Sequence, residues 1–454
     1  MKLLNKLQSL KKNGDFKNVL YSLSSYFVSP IVIIVTTPIL LKTLGSSDYG
    51  IWVLINSLIN VLGISNFGLG NAFIKLGAEY KTLENMFNKL FCVSLTLSIV
   101  LAVGINAVTL TMGNTLFPFF FGSSKMDSIL PVIHLVGGVV GLRIINSIIS
   151  GSYMAIQRYD VNSKINIIYN FLTSVIFTVL AVFYKDIKLL VITLFISTII
   201  LLIVNSFIAK KINSNISYGF IWNKEIFIKI FKYGIYSWFQ LIITTLNSHA
   251  DKIIVGALLG SNALGYYAVC MQLIIKIHEV PAAASAFLFA KFSSLFEDKQ
   301  FSEIRKIYKR AFMFISIFII ALSSVAFIFA NTILSVWISP EFAYLHTTLF
   351  RILVVSVAIG AFGIIPNYCL NGTGYIKTNT VLSLTSSLLT FSLLYFLVSP
   401  FGDMALGFSR LASLPLIVFS IYFVNKKIIS FRKQSQSDEM IQELPTGVSP
   451  RVNN

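Results

Sequence analysis

LGSSDYGIW, at residues 44–52, returns as LGSNALGYY at residues 259–267 of a 454-residue chain. Each copy lies between long apolar runs, and each has glycine at its second and seventh positions. Because glycine tolerates positive φ, a six-residue connection that begins and ends with glycine predicts a tight turn between two helices. Two copies at an offset of 215 residues predict a chain built from two similar halves.

The composition is that of a membrane protein. Hydrophobic residues make up 56% of the chain, charged residues only 12%, and the mean hydropathy is +0.79, whereas soluble domains carry about 25% charged residues. Apolar runs of about twenty residues, the length that crosses a bilayer core as a helix, recur along the whole chain. Because these runs are continuously apolar rather than alternating, they predict an all-α polytopic membrane protein and not a β-barrel.

The apolar runs predict about twelve transmembrane helices. Helices one to six form an N-lobe (19–210), a cytoplasmic linker follows (211–230), and helices seven to twelve form a C-lobe (231–425). A cytoplasmic N-terminal segment (1–18) and a disordered cytoplasmic tail (426–454) complete the chain. The predicted helices cover residues 19–41, 50–74, 90–113, 129–156, 165–184, 187–209, 231–257, 264–289, 311–330, 345–370, 378–399 and 404–425, with 231–250 and 253–274 as the alternative for helices seven and eight.

Two further matches extend the repeat beyond the turn. The sequence FIK at residues 73–75 ends helix two, and FAK at residues 289–291 ends helix eight. Near the end of helix four, GSY at residues 151–153 returns as GTGY at residues 372–375 near the end of helix ten. The nearly constant offsets predict two parallel repeats, related by an axis along the membrane normal, and a transporter of this design has its site between the halves.

The net charge of +18 is a topology signal rather than a sign of nucleic-acid binding. If the N-terminus is cytoplasmic, 27 of the 36 basic residues lie in the segments that face the cytoplasm, and five lie in the segments that face out. This positive-inside pattern predicts both termini in the cytoplasm and a basic surface toward anionic lipids. We therefore expect membrane lipids, and no nucleic acid, as partners.

Signatures of catalysis and of metal binding are missing from the sequence. It has no Gly-x-Ser-x-Gly motif, no phosphate-binding loop and no zinc motif, so we expect no enzyme activity, no metal and no cofactor. Cys92, Cys270 and Cys369 lie inside apolar runs without metal-ligand spacing. They predict buried apolar side chains rather than a disulfide or a reactive thiol.

Polar residues concentrate in helices one, two, seven and eight. In hydrocarbon, polar groups need partners or water. Two interpretations stay open: these helices line a shared cavity, or their polar groups only form hydrogen bonds between helices. The sequence favours the cavity because corresponding helices of both halves are affected. Polar positions in these helices include Thr36, Thr37, Asn56, Asn60, Ser65, Asn66, Asn71, Tyr233, Ser237, His249, Gln272, Lys276, His278 and Glu279.

Basic residues in and beside the spans are the candidate substrate-binding groups. A charge at mid-membrane costs roughly 2.5–3.5 kcal/mol, so a cation there needs a partner or a use. A cavity with surplus positive charge suits an anionic ligand such as phosphate or pyrophosphate. Structural ion pairs and snorkelling to the membrane surface are the alternative. The candidates are Arg143 and Lys276 near mid-depth, Arg351 and Arg410 nearer the outer face, and Lys75 and Lys291 at the inner ends of helices two and eight.

Acidic residues are fewer, and they suggest a role in energy coupling. Glu279 lies three residues after Lys276 on one helical face, so it can compensate that lysine but hardly Arg143 as well. His249 and Asp251 lie together near the end of helix seven. Our hypothesis is that His249, Asp251 and Glu279 couple transport to a gradient of H⁺ or Na⁺.

The order of these motifs resembles the polysaccharide-biosynthesis flippases of the Wzx type. The first half carries the turn at 44–52 and then NFGLGNA at 66–72, and the second half carries DKIIVG at 251–256 before its own turn. The resemblance covers about residues 15–430. One position departs from the pattern, since the family often has an acid just before the Phe/Leu-Gly-Leu-Gly stretch, where this chain has Asn66. A coupling role for that acid is therefore not carried over.

The resemblance implies membership of the multidrug/oligosaccharidyl-lipid/polysaccharide exporter superfamily, with two six-helix lobes of MATE type, a cationic cavity and alternating access. It implies a substrate, an undecaprenyl-pyrophosphate-linked oligosaccharide for O-antigen or capsule, moved across the bacterial inner membrane. A polysaccharide polymerase and a chain-length regulator are the implied protein partners. A drug exporter of the same superfamily is the alternative, although cationic drugs favour acids in the cavity. A membrane polymerase would need catalytic acids or a large outer loop.

Overall fold

The computed structural model describes residues 14–121, 126–214 and 216–429, and in this part of the chain it contains helices but no strand. The tail beyond residue 429 and most of the predicted N-terminal segment lie outside the described residues. The helices are α1 Gly14–Leu62, α2 Leu69–Glu79, α3 Glu84–Phe121, α4 Met126–Ala155, α5 Tyr159–Tyr184, α6 Ile187–Ile212, α7 Lys224–Ile274, α8 Lys276–Ser285, α9 Phe287–Glu297, α10 Phe301–Ile328, α11 Ala330–Trp337, α12 Pro340–Ala361, α13 Ile364–Gly372, α14 Ile376–Phe401, α15 Ala405–Phe408 and α16 Leu414–Phe423.

Within the described residues, nine stretches of helix are long and apolar enough to cross a membrane. Three of them, Val32–Asn66, Ser248–Ser285 and Ile376–Lys426, each overlap two of the predicted spans. The nine stretches therefore correspond to the twelve predicted helices, and the all-α polytopic class is confirmed.

The chain divides into two compact units, Met1–Val269 and Cys270–Asn454. The division falls inside α7, because the turn after predicted helix seven packs against the turn between helices one and two. The domain boundaries drawn from the repeat, including the lobes at 19–210 and 231–425, stay a prediction.

The repeated turn is tighter than its sequence suggests. Only Gly45 (φ 79°, ψ 165°) and Gly260 (φ 82°, ψ 173°) leave the helical conformation, so a single residue separates helix one from two and helix seven from eight. The prediction of two helices joined by a glycine turn is confirmed, but the predicted length of six residues for this turn is wrong. Gly50 and Gly265 belong to the following helices and have ordinary helical backbones. Their role lies in packing, described below.

The core of the first unit is built from aromatic and aliphatic side chains of α2, α3 and α4. Phe73 is fully buried and meets Phe87 and Phe91 edge to face, with ring centroids 6.0 Å apart in both pairs. Such pairs add about 0.5–1.5 kcal/mol beyond area burial. This core fixes one side of α2 and leaves the opposite side for polar residues.

The cysteine prediction is confirmed. Cys92, Cys270 and Cys369 are all free and fully buried. Cys92 also donates a hydrogen bond from its thiol to the backbone oxygen of Ser217, at 3.1 Å, and so holds the linker against α3.

Candidate substrate-binding face

Helix two is broken in the middle of its span. After α1 ends at Leu62, a 3₁₀ turn covers Gly63–Asn66, and Phe67 (φ 49°) and Gly68 (φ 70°) adopt the left-handed conformation before α2 begins. The prediction of a continuous helix over residues 50–74 is therefore wrong. The signal was present in the NFGLG motif, since Gly68 permits the positive φ that interrupts the helical hydrogen bonds. Broken helices at mid-membrane are typical of binding sites in transporters.

Helix seven supplies the groups that stabilise this break. The indole N–H of Trp238 donates to the backbone oxygen of Ile64 at 2.7 Å, and the Trp238 ring lies 5.0 Å from the ring of Phe67. Gly68 lies so close to Gly234 that a Cβ on Gly68 would be 2.3 Å from the Gly234 carbonyl oxygen. The Ile64 carbonyl also accepts from the Phe67 backbone N–H at 3.2 Å, so the indole adds a second hydrogen bond to this acceptor at the break. Sequence reasoning missed the roles of Trp238 and Gly234.

One face of α2 is polar and exposed. Asn71, Lys75 and Glu79 follow each other at intervals of four residues and all three are exposed, whereas Phe73 and Leu76 are buried. The spacing puts the three polar side chains on one face of the helix. We call residues 71, 75 and 79 the polar face.

The polar face is held in place by helix seven. Asn71 donates from Nδ2 to the Ser237 hydroxyl at 2.7 Å. The Lys75 ammonium lies 4.9 Å from the centre of the Tyr233 ring and 3.4 Å from the Glu79 carboxylate. The predicted candidate Lys75 is thus an exposed cation beside the helix break, oriented by an aromatic ring and an acid.

Arg143 is the central residue of the span Pro131–Ala155. It is partly exposed, and it forms neither a hydrogen bond nor an ion pair with any residue that the structure describes. One helical turn away, Ser147 contacts the broken helix, where a Cβ on Gly70 would lie 3.1 Å from the Ser147 hydroxyl oxygen. The first unit therefore holds a cation without an acidic partner at the depth of the break.

Two candidate lysines lie in the second unit, and one of them is paired with an acid. Lys276 forms the predicted ion pair with Glu279. Lys291 is exposed on α9.

Two arginines of the second unit lie in different surroundings. Arg351 donates from Nε to the Phe327 carbonyl at 3.1 Å, near the end of α10, and lies 5.4 Å from the Phe327 ring. This arrangement satisfies a helix-terminal carbonyl, so Arg351 has a structural task, which is the alternative left open above. Arg410 is partly exposed in a 3₁₀ segment, Ser409–Ser413, that interrupts helix twelve.

Asp251 is hydrogen-bonded rather than isolated. Its carboxylate accepts from the Tyr267 hydroxyl at 2.7 Å and from the Lys252 backbone N–H at 2.8 Å. His249, two residues away, has a buried Nδ1 that finds no hydrogen-bond partner among the described residues. Asp251 and Tyr267 join helix seven to helix eight close to the second turn.

The two repeated turns contact each other in a reciprocal way. A Cβ on Gly50 would lie 1.7 Å from the Ser261 carbonyl oxygen, and a Cβ on Gly265 would lie 2.0 Å from the Ser46 carbonyl oxygen. The offset of 215 residues exchanges these two contacts, as at a two-fold interface. The two turns therefore lie against each other, whereas the prediction that they mark facing parts of the two halves stays a prediction. We call this the turn contact.

Side chains of the turn contact repeat the same exchange. The Ser46 hydroxyl hydrogen-bonds to the Asn262 side-chain oxygen, and the hydroxyl oxygens of Ser47 and Ser261 are 3.0 Å apart. Position 46 corresponds to 261, and position 47 corresponds to 262. The two hydrogen bonds are therefore equivalents of each other.

Metal ligands do not gather anywhere in residues 14–121, 126–214 and 216–429. No group of three or more His, Cys, Asp or Glu side chains in these ranges could hold a metal ion.

Long apolar helices, broken where polar and charged residues cluster, define the fold of a multi-pass membrane transporter. Solved structures share this fold. An inward-closed structure of the lipid II flippase MurJ matches with a TM-score of 0.75 over 94% of both chains at 14% identity. An inward-facing multidrug resistance MATE transporter of the MOP superfamily matches with a TM-score of 0.67, covering 89% of this chain and 96% of its own, again at 14% identity.

Sequence comparison gives the family. The sequence model described as polysaccharide biosynthesis protein matches residues 39–346, and the chain belongs to this family. A candidate O-antigen transporter of Shigella flexneri is 18% identical over 388 residues, which cover 85% of this chain and 91% of that protein. The resemblance to the Wzx-type flippases is thereby confirmed, as is the MATE-like fold.

Proposed function

We propose that the protein is a flippase that carries undecaprenyl-pyrophosphate-linked oligosaccharides across the bacterial inner membrane. The observation that carries the proposal is Arg143, a cation at the centre of its span without an acidic partner among the described residues. An arginine in this position costs roughly 2.5–3.5 kcal/mol, and a pyrophosphate that binds it offsets that cost through charge-assisted hydrogen bonds. Lys75 adds a second cation on the same unit.

The chemistry of such a substrate matches these surfaces. The sugar and pyrophosphate form the part of a lipid-linked oligosaccharide that cannot cross hydrocarbon unaided, whereas the prenyl chain can stay in lipid. Polar and cationic side chains on a broken helix suit the head group. The same cations disfavour a cationic drug, since like charges repel.

Alternating access is part of the proposal. The positive-inside pattern orients the repeated turns toward the outside of the cell. The turn contact then closes the outer side, because glycines at 50 and 265 let two helix starts approach to backbone contact. Opening this contact releases the head group outside, and closing it resets the transporter.

The Arg143 assignment predicts opposite effects at two arginines. We expect Arg143→Gln to reduce flipping of a lipid-linked oligosaccharide in proteoliposomes at least tenfold, while the melting temperature stays equal or rises, because an uncompensated charge is removed. Arg351→Gln is the matched control, since it loses the hydrogen bond to Phe327. We expect this variant to have a lower melting temperature and an unchanged flipping rate per folded molecule. Unchanged flipping by Arg143→Gln would refute the assignment.

Energy coupling is proposed for Asp251 and Glu279, with His249 beside them. In Asp251→Asn the side-chain oxygen still accepts from Tyr267, so the fold is retained, but the residue no longer exchanges a proton. We expect Asp251→Asn and Glu279→Gln to lose gradient-driven flipping in proteoliposomes with an imposed H⁺ or Na⁺ gradient, while flipping without a gradient continues. If both variants respond to the gradient like the unchanged protein, these residues do not couple transport.

A further inference from the structure

We infer that Asn56, Asn60 and Asn71 form a binding site for sugar hydroxyls along helix two, with Lys75 at its end receiving the phosphate groups. The inference rests on the proposed function and adds to it which residues read the carbohydrate. It follows from exposure, from the direction of three amide groups and from their order along the helix.

The asparagine side chains of helix two are exposed at mid-span. Asn60 is exposed and Asn56 is partly exposed, whereas Leu58 and Ile59 between them are buried at 4% and 1% exposure. Residues four apart share one helical face. A polar side chain that faces hydrocarbon at this depth is costly, so the exposed face of helix two borders water.

The three amides present their oxygen atoms, because each nitrogen donates one of its two N–H groups to an acceptor within the protein. Asn56 donates from Nδ2 to the backbone carbonyl of Trp52, and Asn60 donates from Nδ2 to the backbone carbonyl of Asn56, both at 2.8 Å. Asn71 donates from Nδ2 to Ser237. Within the described part of the chain, no group donates to the side-chain oxygens of these three asparagines.

These amide groups fit a ligand of one chemical class. Three amide oxygens that accept no hydrogen bond within the described part of the chain call for a ligand rich in hydroxyl donors, and a hydroxyl can also accept from the N–H group that each amide has left. A sugar provides several such donors, whereas an apolar drug provides none. Acceptors left unpaired after water is displaced would lower affinity, so the site discriminates against ligands without hydroxyls.

The order of the polar residues along helix two orients the ligand. Along the helix the order is Asn56, Asn60, the break at Phe67–Gly68, Asn71 and then Lys75. Along helix two, moving away from the turn contact, the asparagine oxygens that accept from the sugar therefore come first and the Lys75 ammonium comes last. A head group fits with its sugar toward the turn contact and its pyrophosphate toward Lys75.

The test compares two lipids on the full-length protein in nanodiscs. Binding is measured for undecaprenyl pyrophosphate and for undecaprenyl pyrophosphate that carries one N-acetylglucosamine. We expect the triple variant Asn56→Ala, Asn60→Ala, Asn71→Ala to bind the glycosylated lipid about 10- to 100-fold more weakly, as for two to three lost hydrogen bonds, and to bind the bare lipid like the unchanged protein. Lys75→Gln is expected to weaken the binding of both lipids.

Asn106→Ala is the matched control. Asn106 donates from Nδ2 to the Ala102 carbonyl at 3.0 Å, the same local bond as in Asn56 and Asn60, but it lies on α3. We expect no change for either lipid. Any of three results overturns the inference: Asn106→Ala loses as much affinity as the triple variant, the unchanged protein binds both lipids equally, or the triple variant keeps its full affinity for the glycosylated lipid. If the unchanged protein binds neither lipid, the proposed function itself fails.

Discussion

Gly50→Ala is expected to slow flipping at least tenfold, although alanine normally stabilises a helix by about 0.5–1 kcal/mol over glycine. The new Cβ would lie 1.7 Å from the Ser261 carbonyl oxygen, a backbone atom that cannot rotate away. Forced separation of packed groups typically costs about 1–3 kcal/mol, and every 1.4 kcal/mol is a factor of ten in an equilibrium. Gly265→Ala should have the same effect, because its Cβ would lie 2.0 Å from the Ser46 carbonyl oxygen.

Closure of the turn contact can be measured directly. Ser47→Cys with Ser261→Cys should form a disulfide on mild oxidation, since the two hydroxyl oxygens are 3.0 Å apart, and the disulfide should stop flipping until it is reduced. Adding Gly50→Ala should reduce the cross-linked fraction. Gly104→Ala is the control, because a Cβ there would meet nothing within 4 Å. A fully active Gly50→Ala that still cross-links would show that the turn contact does not close the transporter.

Gly68→Ala is expected to be the most damaging single substitution at the helix break. The residue has φ +70°, and its new Cβ would lie 2.3 Å from the Gly234 carbonyl oxygen and 3.0 Å from the Trp238 backbone nitrogen. Left-handed backbone costs an ordinary residue about 1–2 kcal/mol, and the clash adds about 1–3 kcal/mol. The melting temperature and the flipping rate should both fall, because the break positions Asn71 and Lys75.

A second glycine separates the backbone effect from the clash. Gly374 has φ +84°, but a Cβ there would meet nothing within 4 Å. Gly374→Ala should therefore lower the melting temperature less than Gly68→Ala does. Equal losses in the two variants would mean that contact with Gly234 contributes nothing to the break.

Much of the fold could be predicted because it depends on composition and spacing. Apolar runs of about twenty residues predict spans whatever their neighbours, and the offset of 215 residues predicted two equivalent turns, which the structure has at Gly45 and Gly260. The break at Phe67–Gly68 was not predicted, since apolar length defines a span but does not show where its backbone leaves the helical conformation. Its stability comes from Trp238, which is distant in sequence.

The candidate site was only partly accessible from the sequence. Spacing alone was enough to pair Lys276 with Glu279, because three residues along a helix fix their proximity. Spacing could not reveal the structural role of Arg351, because its partner is a backbone carbonyl of another helix.

By itself, the sequence determined that the chain spans the membrane as helices, that it repeats, and that it carries more basic than acidic groups within its spans. These properties follow from transfer free energies and local periodicity, which act residue by residue. Only the tertiary structure decided that Gly50 and Gly265 serve close packing rather than the turn, and that Arg143 has no acidic partner among the described residues. Close approach and charge pairing depend on which helices become neighbours, and residues far apart in the chain set that arrangement.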